Sequence, residues 1–323
     1  MKLRSVEEIP ENSKVILRMD LDIPEGDNSR LLKSVPTIRF LQERNCRIAI
    51  IGHRGRPKGR DENMSLRPVY VELVGILGEV DSIFLDNFEN IEEKQLMFFE
   101  NLRFYPGEEE NDSSFMNNLI NLSDTYVNDA FAVAHREHAS IMLFEKMDTY
   151  YGFSFAEEAE KISKVIENPL RPLTIVLGGA KEDKLNYLPE LINIADNILI
   201  GGKLPNFREK IIENNKIIIG NLREDTLDLS SDTINQFLEL INSSNMIVWA
   251  GSMGFYEDIN SRLGTEKIAG AIANSNAFKI IAGGDTVASI KNLGLKDKID
   301  FICSGGGVML QFLAKGTLPG FNK

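Results

Sequence analysis

Between His53 and Arg60 the chain reads HRGRPKGR, with five basic or potentially basic side chains in eight residues: His53, Arg54, Arg56, Lys58 and Arg60. Guanidinium groups match the planar geometry of carboxylates and phosphates with two hydrogen bonds at once. A charge run can also be plain solvated loop, and spacing alone leaves both readings open. What decides is the company it keeps. Arg103 in ENLRF (100–104) and Arg136 in NDAFAVAHREHAS (128–140), like HRGRPKGR, follow apolar runs that read as strands. In open α/β sheets, ligands bind just beyond the carboxyl ends of the strands. Arg56, Arg103 and Arg136 then reach one rim with His53 and His135, which a solvated loop does not require. Lys58 and Arg60 lie further out and fit ordinary surface. A metal held by His53, His135 and His138 is the other reading of the histidines. The cationic surroundings disfavour it, and hydrogen bonding to an anion or plain packing suits them better.

The second half offers a different chemistry. Its apolar runs end in glycines: GGAK (178–181), GGK (201–203), AGSMG (250–254), AGGDT (282–286) and SGGG (304–307). One such pair is commonly a tight turn. Five on one rim let backbone amides approach a phosphate, and a helix beginning at Asp285 and Thr286 adds its dipole. The spacing is neither G-x-x-x-x-G-K-[ST] nor G-x-G-x-x-G, so this phosphate site is of another type.

The elements that must carry these groups alternate along the chain. Strand-like runs fall at 14–20, 47–52, 82–86, 96–100 and 125–131, then at 173–178, 197–201, 216–220, 246–251, 279–283 and 300–305. Nearly continuous apolar runs of this length suit strands buried on both faces. Amphipathic stretches such as SVPTIRFLQERN and LRPVYVELVGILG lie between them. The expected class is α/β, with two Rossmann-like three-layer domains on parallel sheets. A helical pattern over 154–169, closed by Pro169 and Pro172, reads as the joining helix. That gives domains at 1–153 and 170–323, with the last residues expected to return to the first domain.

Composition narrows the partners. The chain has 323 residues, 43% hydrophobic and 26% charged, with a net charge of -12. That acidity argues against nucleic acid and against an anionic membrane surface. A local basic cluster then calls for a small anion. The polar start MKLRSVEEIPENSK has no secretory pattern, and no run nears the length needed to cross a bilayer. Cys46 and Cys303 form no disulfide framework and read as buried thiols. A cytoplasmic monomer is the expectation.

One half gathers arginines for an anion, and the other gathers glycines for phosphates. Phosphoryl transfer across a closing cleft suits that pairing. The motifs GHRGRPKG, SLRPV, ENLRFYPGEEEND, YVNDAFAVAHREHAS, LGGAKEDK, GTEKIAGAIA, AGGDTVASI, SGGGVMLQFL and the terminal LPG occur in order along nearly the whole chain. Together they resemble phosphoglycerate kinases. The resemblance implies transfer of a phosphoryl group between 1,3-bisphosphoglycerate and ADP, giving 3-phosphoglycerate and ATP, with Mg2+ as cofactor. Motif by motif, it implies that phosphoglycerate meets Asp20, Asp22, Arg30, His53, Arg56, Arg103 and Arg136. It places Lys181, Lys184, Glu257, Gly283, Gly284, Asp285 and Thr286 on the nucleotide, and Asp285 on the metal. Arg30, Lys181 and Gly284 would flank the transferred group.

The sequence departs from the family in four places. DLD stands where the family has D-F-N, so Asp22 replaces an asparagine. Side chains two apart on a strand share a face, so Asp20 and Asp22 are expected to crowd two carboxylates beside an anion. WAGS stands for W-N-G-P, placing Ala250 and Ser252 near the nucleotide. GGAKEDK is one residue short between its lysines. The segment Lys203–Asn245 is far shorter than usual, which implies a reduced wall around the base. A kinase with a changed acid substrate and a non-catalytic homologue are the alternatives.

Overall fold

Each of the eleven apolar runs becomes a strand, and every pairing between these strands is parallel. The structure is a computed structural model and describes residues 3–23 and 26–321. The chain splits into two compact units, Met1–Glu160 with Leu318–Lys323, and Lys161–Thr317. The first holds β1 (Lys14–Met19), β2 (Arg47–Ile51), β3 (Ser82–Leu85), β4 (Leu96–Phe99), β5 (Thr125–Asp129) and β6 (Asp148–Tyr151). They lie in the order β3-β4-β2-β1-β5-β6. The second holds β7 (Leu173–Leu177), β8 (Asn197–Ile200), β9 (Ile217–Ile219), β10 (Met246–Ala250), β11 (Phe278–Ala282) and β12 (Phe301–Cys303). Their order is β12-β11-β10-β7-β8-β9.

The helices that cover the first sheet are α1 (Ser29–Glu43), α2 (Arg67–Leu77), α3 (Pro106–Glu109), α4 (Ser113–Ile120) and α5 (Ala139–Met142). Alternate strand residues choose the face. Val15 and Leu17 pack with Leu31, Ile38 and Leu73 of α1 and α2. Ile16 packs with Phe115, Met116 and Leu119 of α4 on the other side. α6 (Phe153–Glu167) follows, and the boundary between the units falls within it. The second sheet carries α7 (Leu188–Ile194), α8 (Ser231–Asn242), α9 (Leu263–Asn274), α10 (Gly284–Asn292) and α11 (Gly306–Lys315). Among the described residues no helix is long and apolar enough to cross a membrane.

Two elements differ from the sequence reading. β6 was not foreseen, because DTYY is four residues long and carries a charge and three hydroxyls; only its burial on three of four positions makes it a strand. α1 begins at Ser29 rather than Ser34, with Pro36 inside it. A proline usually marks a first turn, so the pattern pointed too late. The earlier start places Arg30 in the first turn of α1.

α6 is anchored from outside. Its first amides are held by side chains of other elements, Phe153 N donating to Thr37 Oγ1 at 3.0 Å and Phe155 N to Asp129 Oδ1 at 3.0 Å. Gly152 makes room, since a Cβ there would overlap the Asp129 carboxylate. Burial pushes Asp129 up to about 6, against hydrogen bonds that pull the other way. The residues Leu318–Phe321 pack on the same unit: Gly320 N donates to Ala134 O at 2.7 Å, and Phe321 lies against Phe155 with ring centroids 5.1 Å apart.

Candidate active site

Strand order locates the sites before any side chain is considered. A parallel sheet leaves a crevice where consecutive connections depart to opposite sides. In the first unit that point lies between β1 and β5, in the second between β7 and β10. The chain leaves β1 into Asp20–Asp22 and β5 into 130–138. It leaves β7 into Gly178–Lys181 and β10 into Gly251–Gly254.

At the first rim the cationic groups are stacked in depth. Arg18, in the middle strand β1, is fully buried, and so are His53 and the Arg103 side chain to within a few per cent. Arg136 is half-buried and Arg56 exposed. The charges feel one another. Burial, then the neighbouring Arg136, lowers the Arg103 pKa; burial, then Arg56, lowers that of Arg136. Burial and then Arg18, Arg103 and Arg136 push His53 well below its ordinary value. His135 and His138 fall to about 4, burial first and Arg136 next. All three imidazoles are therefore neutral at pH 7. Arg103 donates through Nη1 to Gly55 O and pairs through Nε with Glu109 at 3.1 Å. Its Nη2 and the Nε of Arg136 are buried without a hydrogen-bond partner among the described residues. A buried guanidinium donor left unpaired is costly, and an anion is what relieves it.

Asp20 and Asp22 do feel one another, since burial first and then the Asp22 charge among the smaller causes raise the Asp20 pKa against Arg30 and Arg18, but the pair does not sit as strand neighbours. β1 ends at Met19, so the two-residue rule does not apply to them. The Asp22 carboxylate accepts the Gly55 amide at 2.9 Å, while Asp20 pairs with Arg30 at 3.2 Å. Arg30 Nη1 also donates to Asp22 O at 3.1 Å. Asp22 thus ties the β1 loop to the β2 loop that carries Arg56. Of the outer basic residues, Arg60 pairs with Glu62 and Asp86 at the surface, and Lys58 is exposed.

The second rim is built from backbone. Gly179 N donates to Ser252 O at 2.7 Å, and Lys203 N to Gly179 O at 2.9 Å, so the loops after β7, β8 and β10 interlock. Gly251 has φ +105°, and a Cβ there would overlap the Gly178 carbonyl. Gly251 N donates to Thr286 Oγ1 at 2.7 Å, which joins this knot to the start of α10. Gly283, at φ +99°, precedes that helix. The first turn of a helix leaves its amides without intrahelical acceptors, here those of Gly284, Asp285 and Thr286. Lys184 Nζ donates to Gly178 O at 2.6 Å and Ala250 O at 3.2 Å. Burial lowers it to about 8, with Asp183 and Asp285 opposing. Lys181, Asp285, Gly284 and Glu257 are exposed.

Three residues of the first rim were not singled out by sequence: Arg18, Ser140 and Glu108. Arg18 carried a signal, an arginine inside the apolar run KVILRM, since arginine is almost never fully buried unless paired. Glu108 and Ser140 carried none, because buried and surface carboxylates look alike in a row of three glutamates.

Two parallel α/β units, one with a rim of guanidinium groups and the other with a rim of interlocked glycine loops, define the architecture. The comparisons with known proteins name the family. The phosphoglycerate kinase family model matches residues 6–220 and 206–316. Phosphoglycerate kinase of Finegoldia magna is 32% identical over 379 aligned positions, covering 97% of this chain and 96% of that protein. That of Dictyoglomus turgidum is 32% identical, covering 95% and 94%. The solved phosphoglycerate kinase of Coxiella burnetii superposes with a TM-score of 0.83 at 27% identity, covering 99% of this chain and 98% of that one. That of Pyrococcus horikoshii gives 0.81 at 26%, covering 98% and 97%. This chain belongs to the phosphoglycerate kinase family, and it is a phosphotransferase. The aligned length exceeds the 323 residues of the chain, so the relatives carry residues that this chain lacks; the two matched stretches overlap over 206–220.

Proposed function

We propose that the chain carries out reversible phosphoryl transfer between 1,3-bisphosphoglycerate and ADP, with the first rim holding the glycerate and the second the nucleotide. The observation that supports this most is the pair of unpartnered buried donors, Arg103 Nη2 and Arg136 Nε. Two guanidinium groups with donors to spare suit the non-transferred phosphate of the substrate. Arg56 and neutral His53 complete that side. Arg30, on the first turn of α1 and fixed by Asp20, would reach the acyl end.

On the nucleotide side, the amides of Gly283, Gly284, Asp285 and Thr286 would hold phosphate oxygens at the start of α10. Lys181 is exposed and would meet the transferred group. Lys184 secures the ends of β7 and β10, and its charge acts on the phosphates from below. Glu257, in the exposed loop after β10, would face the ribose. Mg2+ fits this donor set. Among the described residues no three acidic, histidine or cysteine side chains cluster as a cage, whereas one exposed carboxylate, Asp285, beside bound phosphates and water is how this ion is commonly held. When bound, it neutralises phosphate charge.

The acyl phosphate departs as a carboxylate, so the reaction needs no strong general base. Positioning and charge neutralisation carry the rate. We read the reaction as requiring closure of the two units on each other, and the protein as a cytoplasmic monomer. The Asp22 carboxylate is held by Gly55 N, and its charge, which reaches Arg103 and Arg136, offsets part of the field that attracts this substrate. A coupled assay with ATP, 3-phosphoglycerate and magnesium tests the reading, and absence of turnover with either phosphorylated ligand still binding would favour a non-catalytic role.

A further inference from the structure

Below the first rim runs a chain of buried polar groups that ends on His53, and its other members, Glu108, Ser140 and Arg18, have no part in the reaction proposed above. Glu108, in α3, is fully buried. Its Oε2 accepts Ser140 N at 2.9 Å, and its Oε1 accepts the Ser140 hydroxyl at 2.6 Å. Ser140 Oγ in turn accepts from Arg18 Nε at 2.9 Å. Arg18 donates through Nη1 to Met19 O and meets His53 Nδ1 through Nη2 at 2.9 Å.

The donor inventory fixes the direction of every link. A carboxylate only accepts, so the Ser140 proton points at Glu108 and its lone pair at Arg18. A guanidinium only donates, so His53 Nδ1 must be bare. The imidazole is neutral in this cationic setting, and its single proton therefore sits on Nε2. We propose that Glu108 is a positioning residue of the substrate site, which through Ser140 and Arg18 holds His53 as the Nε2–H tautomer, a neutral donor for phosphoglycerate. The inference rests on the substrate assignment above for its ligand, and on geometry alone for the tautomer.

Two effects of Glu108 oppose each other, which makes the test decisive. As a buried negative charge near Arg18 and Arg103, it weakens the field that attracts an anion, so by field alone its removal would tighten binding. As the far end of a hydrogen-bonded chain, its removal loosens Arg18 and frees His53 to adopt either tautomer. Glutamine cannot accept from both Ser140 N and Oγ through two oxygens. If positioning wins, Glu108→Gln binds 3-phosphoglycerate about tenfold more weakly, as expected for one lost charged hydrogen bond, while the KM for ATP stays unchanged.

The experiment is histidine ¹⁵N NMR together with calorimetric titration of 3-phosphoglycerate, on the full chain, for the wild type, Glu108→Gln and Ser140→Ala. With three histidines, assignment is tractable. The expected wild-type signal for His53 is a protonated Nε2 and a bare Nδ1 from pH 6 to 8, turning to a mixture of tautomers in either variant. A wild-type His53 protonated on Nδ1 overturns the inference without any variant having to fold. So does a folded variant with unchanged tautomer and equal or tighter 3-phosphoglycerate binding. Wild type that binds no 3-phosphoglycerate would instead refute the substrate assignment, and the tautomer readout would still judge the role of Glu108.

Discussion

The first rim recognises with side chains, the second with the absence of them. Arg18, Arg103 and Arg136 crowd like charges into a partly dry rim, where burial first and then Arg136 and Arg18 lower the Arg103 pKa, and burial first and then Arg56 and Arg18 lower that of Arg136. Gly178, Gly179 and Gly251 instead let strands end against one another with their own amides bonded inward, and leave the first-turn amides of α10 for a ligand at little electrostatic cost. The contrast carries a rule about fragility. A charge-built rim tolerates exchange of one group, since its neighbours still attract the anion. A backbone-built rim tolerates no extra carbon where one loop is the wall of the next, as at Gly178, Gly202 and Gly251.

The largest effect should follow from testing that rule at Gly251. Gly251→Ala adds a Cβ into the Gly178 carbonyl at a positive φ, so both strain and overlap act. The variant should lose measurable nucleotide binding and several kcal/mol of stability, seen as a lower thermal midpoint. Retained binding at wild-type stability would dissolve the contrast.

Next come the groups assigned to the transferred phosphoryl. Arg30→Ala and Lys181→Ala should each cut kcat by about 10²–10³ with smaller changes in KM, as for loss of one preorganised charge. If either variant turns over like the wild type, that residue has been placed wrongly.

A third expectation concerns Asp129. Its pKa of about 6 lies above the ordinary 3.8, so the folded state binds the proton more tightly than the unfolded. Its contribution to stability is fully present below pH 3.8 and is lost as pH rises through about 6, a change on the order of 3 kcal/mol. Asp129→Asn keeps an acceptor for Phe155 N and removes that slope. Urea unfolding at pH 5 and pH 7.5 compares the two proteins; equal pH dependence would show that Asp129 is not buried as described.

The smallest effects concern selectivity. Salt should weaken 3-phosphoglycerate binding despite the net charge of -12, because Arg56 and Arg136 are reachable by counterions. ATP and GTP with magnesium should bind within a few-fold of one another, since the amides and Lys181 proposed for that site would recognise phosphates, and the Lys203–Asn245 segment expected to wall the base is short. Strong preference for ATP would mean that residues after β10, such as Phe255, have rebuilt a base wall.

Much of this was legible in the residue order. Continuous apolar runs gave eleven strands, and the glycines and arginines at their ends gave both rims. What escaped was whatever depends on pairing. Asp22 reads as a carboxylate beside an anion until its acceptor role toward Gly55 is seen. Arg30 reads as loop until α1 is found to begin at Ser29. Glu108 and Ser140 are ordinary letters in EEE and HAS, and only burial and a 2.6 Å hydrogen bond set them apart. Lys184 looks like a second phosphate lysine, yet its ammonium is already held by two carbonyls.

The return of Leu318–Phe321 to the first unit has a consequence for biosynthesis. Phe321 completes the aromatic cluster of Phe131, Tyr151 and Phe155, and Gly320 binds Ala134 next to Arg136. A ribosome delivers these residues after all of Lys161–Thr317. The unit synthesised first must therefore wait for the other to be translated before its own packing closes, and nascent chains stalled short of Gly320 should carry an arginine rim that is not yet braced.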